Sequence, residues 1–421
     1  MARTPTSQAV VIGPGQSIQA AIDASPAGTT FTLAAGVWRE QEFLARSGDQ
    51  FIGDANGGTI LSGARVLTNW QRSSQRAGER WRCGGLPESL GDNKPATDPL
   101  ANHLNDLFID DVLQRRVGSE AELGSGTWWF DPNGAAAVLA TDPQGHTVEY
   151  SVTRNQTWDN GATGVLWQDI VVEKYCTDAQ QGAHHGMRGW TYKNAVFRQM
   201  HGAGVNIGAD TEITGGQYID NGQCGIEGYQ SHHAKVTDAE IARNGWIGYN
   251  TDWDGGGLKI CTADGVALVG NHVHHNRDQG LWGDIDCTNW LIEGNIVKDN
   301  EGCGIMYEIS YGETRIQGNQ VTGCGGTGGY GAGGIYVSNS MGVDVSGNTI
   351  EVKAGNSGIG GGIAVMNDAR GAGAQGTYES RSVNVHHNTI THTDDTAMNG
   401  YWVYQQIDNP GIAFDNNTYR V

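Results

Sequence analysis

The fold is decided by residues 257–310, which read GLKICTADGVALVGNHVHHNRDQGLWGDIDCTNWLIEGNIVKDNEGCGIMYEIS. Three times a glycine and an aliphatic residue open a short mixed segment: Gly257-Leu258-Lys259-Ile260, Gly280-Leu281-Trp282-Gly283-Asp284 and Gly304-Ile305-Met306-Tyr307-Glu308. The glycines lie 23 and 24 residues apart. Segments of the form Gly-Asn-x-Val/Ile recur at Gly270-Asn271, Gly294-Asn295, Gly318-Asn319 and Gly347-Asn348. A period in the low twenties that holds several short strands predicts an all-β solenoid built of β-coils.

The period converts into geometry. If each repeat is one coil, equivalent residues are hydrogen-bonded neighbours about 4.8 Å apart. The residues that follow the glycines (Leu258, Leu281, Ile305, Ile335, Ile363) are all aliphatic and are expected to stack inward. Strand alternation then turns the second and fourth positions outward. That places Lys259, Trp282, Asp284, Met306 and Glu308 on one face of three adjacent coils, the expected active site.

Composition agrees with coils. The 421 residues include 65 glycines and only 9 prolines, which suits tight Gly- and Asn-rich corners and excludes collagen. With 26 basic against 46 acidic residues the net charge is −20, so neither nucleic acid nor an anionic membrane is an expected partner. No apolar run approaches the roughly 18 residues of a membrane span. The opening MARTPTSQAVVIG lacks the apolar core of a signal peptide. The expectation is a secreted or periplasmic protein whose signal lies outside this sequence, with a cytoplasmic one as the alternative. The seven cysteines are read as buried free thiols stacked in the coils.

Three regions are expected along the chain. Residues 1–66 form an N-terminal cap and first coils, in which Ser17 caps a short amphipathic helix that covers the open end of the solenoid. Residues 67–165 hold most of the prolines and strands of another rhythm, among them Asp106–Leu113 and Thr127–Phe130. They read as a small inserted antiparallel β-domain, a support or rim. Residues 166–421 are the coils that carry the site. The interval from Gly225 to Gly257 is 32 residues, and its surplus, 246–256, should bulge over Lys259. Enlarged loops between Gly304 and Gly334 and at 371–380 are expected to wall the substrate. A monomer is expected.

This pattern resembles the right-handed parallel β-helix (pectin-lyase-like) superfamily, which includes pectate lyases and many polysaccharide hydrolases. The resemblance covers roughly 160–421 and the entry module. More narrowly, Ser17 to Gly36, the Asp106 to Asp111 strand, Gly256-Gly257-Leu258-Lys259, Gly280 to Asp286 and Gly304 to Ser310 resemble bacterial β-helix glycoside-hydrolase-like proteins with an inserted β-domain. The resemblance implies a saccharide substrate. The superfamily spans hydrolases, lyases, epimerases and non-enzymatic proteins, so the chemistry has to come from the site.

Glycosidic hydrolysis needs two carboxyls. Asp284 and Glu308, on neighbouring coils, suit the close spacing of a retaining pair. Asp286, roughly 6.7 Å along the same strand from Asp284, is a third carboxyl nearer inverting separations. Lys259 either orients the substrate as an ammonium or acts as the base of a lyase or epimerase. Asp252 and Asp254, in the bulge, are expected to bind sugar hydroxyls, or calcium in the lyase reading. Otherwise neither metal nor cofactor is expected. Trp282, Trp253 and Tyr336 are candidates for stacking on sugar rings, and His275 for a polar contact, though it also reads as a structural corner histidine. Two rivals to a glycoside hydrolase remain: a lyase or epimerase with Lys259 as base, and a non-catalytic carbohydrate-binding β-helix.

Overall fold

The computed structural model describes residues 9–75, 78–325, 333–352, 361–392, 400–403, 408 and 410–420. Part of the loop expected between Gly304 and Gly334, at 326–332, lies outside them.

Each coil contributes one strand to each of three long parallel sheets. One coil runs through Ala267–Val269 in the first sheet, His272–His274 in the second and Leu281–Asp284 in the third. The next repeats it with Leu291–Glu293, Ile296–Lys298 and Ile305–Glu308. Among the described residues the sheets have 13, 12 and 10 strands.

The register follows the glycine count. Leu258 pairs with Leu281, Leu281 with Ile305, Ile305 with Ile335 and Ile335 with Ile363, all fully buried. The first sheet stacks Leu268, Ile292, Ile316 and Val345 inside, and the second Val273, Val297, Val321 and Ile350. One core therefore runs the length of the solenoid.

The repeated Gly-Asn pairs divide two tasks. Gly270, Gly294, Gly318 and Gly347 turn the corner with φ between 64° and 67°. The asparagines point inward and stack. Asn271 Nδ2 donates to Asn295 Oδ1 at 2.9 Å, Asn295 Nδ2 to Asn319 Oδ1 at 2.9 Å, and Asn319 Nδ2 to Asn348 Oδ1 at 2.9 Å. The backbone N–H of Asn271 also donates to Asn295 Oδ1, and Asn295 Nδ2 donates to Leu268 O. Asn295→Ala therefore strands two buried donors and one carbonyl. At about 1–3 kcal/mol for each buried group left unpaired, the loss should be roughly 3–9 kcal/mol, read as a lower urea midpoint. A loss under about 1 kcal/mol would mean that water replaces the ladder.

At the N-terminal end, Ser17 Oγ accepts from Ala20 N at 3.2 Å and starts the helix Ile18–Asp23, which seats Ile18 and Ile22 on the core. Among the described residues the inserted sheet has eight strands, in chain order from Ala64–Val66 to Val148–Ser151. The strand Thr157–Trp158 already belongs to the third sheet. Two details depart from expectation. Asp106–Leu113 is not one strand: Asp110 and Asp111, at φ 49° and 67°, fold it into a hairpin between Leu107–Ile109 and Val112–Val117. And the sheet is not wholly antiparallel, since Val112–Val117 runs parallel to Thr127–Asp131.

Among the described residues no cysteine is part of a disulfide. Six are buried, whereas Cys261 is half-buried on the outer face, in register with Asp284.

Candidate active site

The third sheet presents two outward columns. One runs Glu227, Lys259, Trp282, Met306, Tyr336; the other runs Tyr229, Cys261, Asp284, Glu308, Ser338. Asp284 and Glu308 are thus direct partners across two strands, and Lys259, two positions out of register with Asp284 on the strand before, completes the expected cluster through its side chain. A cavity of about 260 Å³ opens on it, lined by Asp252, Trp253, Gln279, Trp282, Asp284, Met306, Glu308 and Arg370 among others.

Lys259 is the hub. Its Nζ stands 3.0 Å from Asp284 Oδ2, donates to Trp253 O at 2.8 Å, and lies 3.5 Å from the centroid of the Trp282 ring. Burial alone would push the ammonium toward neutrality, but Asp254 and Asp284 outweigh it and hold Lys259 above its ordinary range. Glu308 is 5 % exposed. Burial, then the neighbouring Asp284 charge, raises its carboxyl above the usual range, although Arg370 pairs with it and pulls the other way.

The bulge arrives where the long interval put it, over Lys259. It is clamped by the inserted sheet's connecting loop: Asn250 N donates to Pro95 O at 3.0 Å, Thr97 N to Gly248 O at 2.8 Å, and Ala96 bridges to Tyr249. Below this contact His201 is fully buried between Asp106 Oδ2 at 3.0 Å and Ala101 O at 2.8 Å. The insertion thus touches the bulge directly. The loop at 371–380 is the other wall. Its start supplies Arg370, and its short hairpin, Ala372–Gly373 with Gly376–Thr377, brings Tyr378 up to Asp286.

Several expected residues sit elsewhere. Asp286 is not on the strand, which ends at Asp284; Ile285 and Asp286 take φ of 47° and 57° and turn the chain away. Its carboxylate accepts from Tyr378 Oη at 2.8 Å and is not one of the residues that line the cavity. His275 lies in the turn after the second-sheet strand His272–His274, with Nε2 3.9 Å from Asp299, and does not reach the site. Trp282 and Tyr336 do face outward, but they are 4 % and 3 % exposed and pack with Cys303, Met306 and Ala364. Tyr336 offers no open face, and one face of Trp282 is taken by the Lys259 ammonium. Asp254 is buried and accepts from Gln180 Nε2, whereas Asp252 and Trp253 line the cavity.

Three residues at or beside the cluster were missed. Glu227 follows Gly225 as Lys259 follows Gly257, so the same count would have found it. Gln279 precedes the repeat glycine Gly280. Arg370 carries no repeat signal, since only the path of a loop delivers it.

Residues 181–350 match the family model described as a right handed beta helix region. No curated protein matches the sequence. Among solved structures, XylC in complex with xylose superposes with a TM-score of 0.72 at 16% identity, covering 90% of this chain and 73% of that one. The fold is the right-handed parallel β-helix. The A-module of Azotobacter vinelandii mannuronan C-5 epimerase AlgE4 gives a TM-score of 0.62 at 16% identity over 97% of this β-helix and 93% of its own chain. A structure named glycoside hydrolase gives 0.51 at 9% identity, over 93% and 88%. Among the described residues no helix is long and apolar enough to cross a membrane.

Proposed function

We propose that this β-helix is a glycoside hydrolase that retains anomeric configuration, with Asp284 as nucleophile and Glu308 as general acid and base. The observation that carries the reading is the direct pairing of Asp284 with Glu308 on adjacent strands, in different surroundings. Neighbouring strands stand about 4.8 Å apart, which suits the roughly 5–5.5 Å carboxyl separation of retaining enzymes. Two carboxyls whose environments differ are the usual basis of an acid and nucleophile division. Asp284 has a cation at 3.0 Å; Glu308 is the carboxyl whose surroundings favour the proton.

In the first step an Asp284 oxygen attacks the anomeric carbon, and the glycosidic C–O bond breaks as its oxygen takes the Glu308 proton. In the second, Glu308 takes a proton from water, whose oxygen displaces Asp284 and regenerates both groups. Lys259 orients Asp284, and Arg370 orients Glu308. The approximately 260 Å³ of the cavity falls just below the roughly 300–1,000 Å³ of pockets for drug-sized ligands, which suits the end of a saccharide chain. The structural neighbours named for xylose, for mannuronan epimerisation and for glycoside hydrolysis support a saccharide substrate. A lyase or epimerase would need Lys259 to give up its proton, and the acids around it oppose that.

The test is incubation with neutral and uronate-containing glycans, with products read by mass and ultraviolet absorbance. Hydrolysis predicts product masses that sum to substrate plus one water. An unsaturated, ultraviolet-absorbing product, or a change of configuration without cleavage, would sink the hydrolytic reading and move attention to Lys259.

A further inference from the structure

One strand before Lys259, a second group of side chains is sealed beneath the same bulge and takes no part in the steps above. Cys224 and Glu227 belong to the strand Cys224–Tyr229, and Asp254 descends from the bulge. One ligand-type atom from each, the thiol sulfur and two carboxylate oxygens, lies within 4.8 Å of the other two. The three residues are 0 %, 4 % and 1 % exposed. Cys224 Sγ stands 3.9 Å from Asp254 Oδ1, while Gln180 Nε2 donates to Asp254 Oδ2 and holds that carboxylate in place.

The group is incomplete as protein alone. Glu227 Oε1 is buried with no hydrogen-bond partner. So is Asp278 Oδ2, which lies against Gly255, beside Asp254. A buried carboxylate oxygen with neither donor nor solvent is strongly unfavourable, and such orphans point to a missing cation or proton. Lys259 is the nearby cation, but its ammonium is already engaged by Asp284, Trp253 O and the Trp282 ring.

We propose that Cys224, Glu227 and Asp254 form a site for one divalent transition-metal ion of the zinc type, which pins the bulge to the solenoid face. A thiolate favours zinc-like ions over calcium or magnesium, and two carboxylates complete a three-donor set that leaves a fourth, tetrahedral position for water. Binding requires Cys224 as thiolate, so its proton passes to solvent. Asp254 follows directly on Trp253, whose carbonyl accepts from Lys259, so an ion fixed at Asp254 also fixes a partner of Lys259. The site stands apart from the hydrolytic reading, because its test reads metal and not turnover.

The full chain, stripped with a chelator, is titrated with Zn²⁺ and with Cd²⁺. The expected result is one metal ion per chain, a higher Tm at saturation, and a thiolate-to-cadmium absorption band. Cys224→Ser should abolish the band. Glu227→Gln, close to isosteric, should weaken Zn²⁺ binding roughly tenfold or more, since even outer-shell changes at metal sites cost that much. Cys261→Ser should keep both band and affinity. Absence of stoichiometric uptake by the native chain would overturn the proposal and leave Glu227 and Asp254 sharing a proton. Uptake unchanged in both Cys224→Ser and Glu227→Gln would overturn it too, since the ion would then sit elsewhere.

Discussion

Asp284→Asn is expected to lower kcat on any glycan the native protein cleaves by on the order of 10⁴-fold or more, the scale at which loss of a nucleophile acts. The amide keeps the shape of the carboxylate but supplies no lone pair able to form a glycosyl ester. It also leaves Lys259, which is 3 % exposed, without its charged partner at 3.0 Å. Removing one member of a buried pair costs about 3–5 kcal/mol, so the variant should unfold at a lower temperature as well. Turnover has therefore to be measured below that temperature, with folding checked by circular dichroism. The contacts of Lys259 with Trp253 O and the Trp282 ring remain, and they should keep the fold intact. Turnover within tenfold of native would remove Asp284 from the mechanism.

The second large effect is at Glu308. Glu308→Gln should slow cleavage of natural glycosides by roughly 10²–10⁴-fold, the usual contribution of a general acid. It should spare bond cleavage in aryl glycosides whose leaving group needs no proton, so that a burst of aryl alcohol is followed by slow turnover. Uniform loss on both substrate types would argue that Glu308 serves structure and not proton transfer. The native pH profile carries the same signature. Burial and Asp284 raise the Glu308 pKa, so the acid stays protonated to higher pH than an ordinary glutamic acid. Activity should fall as pH rises through that raised value. Removing the Arg370 cation, which opposes the shift, should move the alkaline limb further up, as Arg370→Met would show.

How much was legible follows from which contacts repeat. The two neighbouring columns that hold Lys259, and Asp284 with Glu308, could be counted from glycine spacing, because parallel coils place residue n beside its equivalent one period later. The same arithmetic reaches Glu227. It fails where the chain leaves the strand. Asp286 looked like the next outward position after Asp284, yet two residues of left-handed backbone turn it toward Tyr378. His275 has the composition of a site residue, but its corner belongs to another sheet.

The solenoid, its coil length, the inward stack that follows the repeat glycines and the outward carboxyl pair were all readable from the amino-acid order. All of these are nearest-neighbour consequences of a repeated pattern, and a repeat writes its contacts into its period. Only the tertiary structure decided what surrounds that pair. Arg370, 62 residues beyond Glu308, reaches it from a loop, and Lys259 takes one face of Trp282. Asp254 goes down to Cys224 and Glu227 instead of up to the cavity, because the inserted sheet clamps the bulge from above. Loops obey no period, and their course is fixed by the surfaces they happen to pack against. The scaffold was therefore readable residue by residue, and the walls of the site were not.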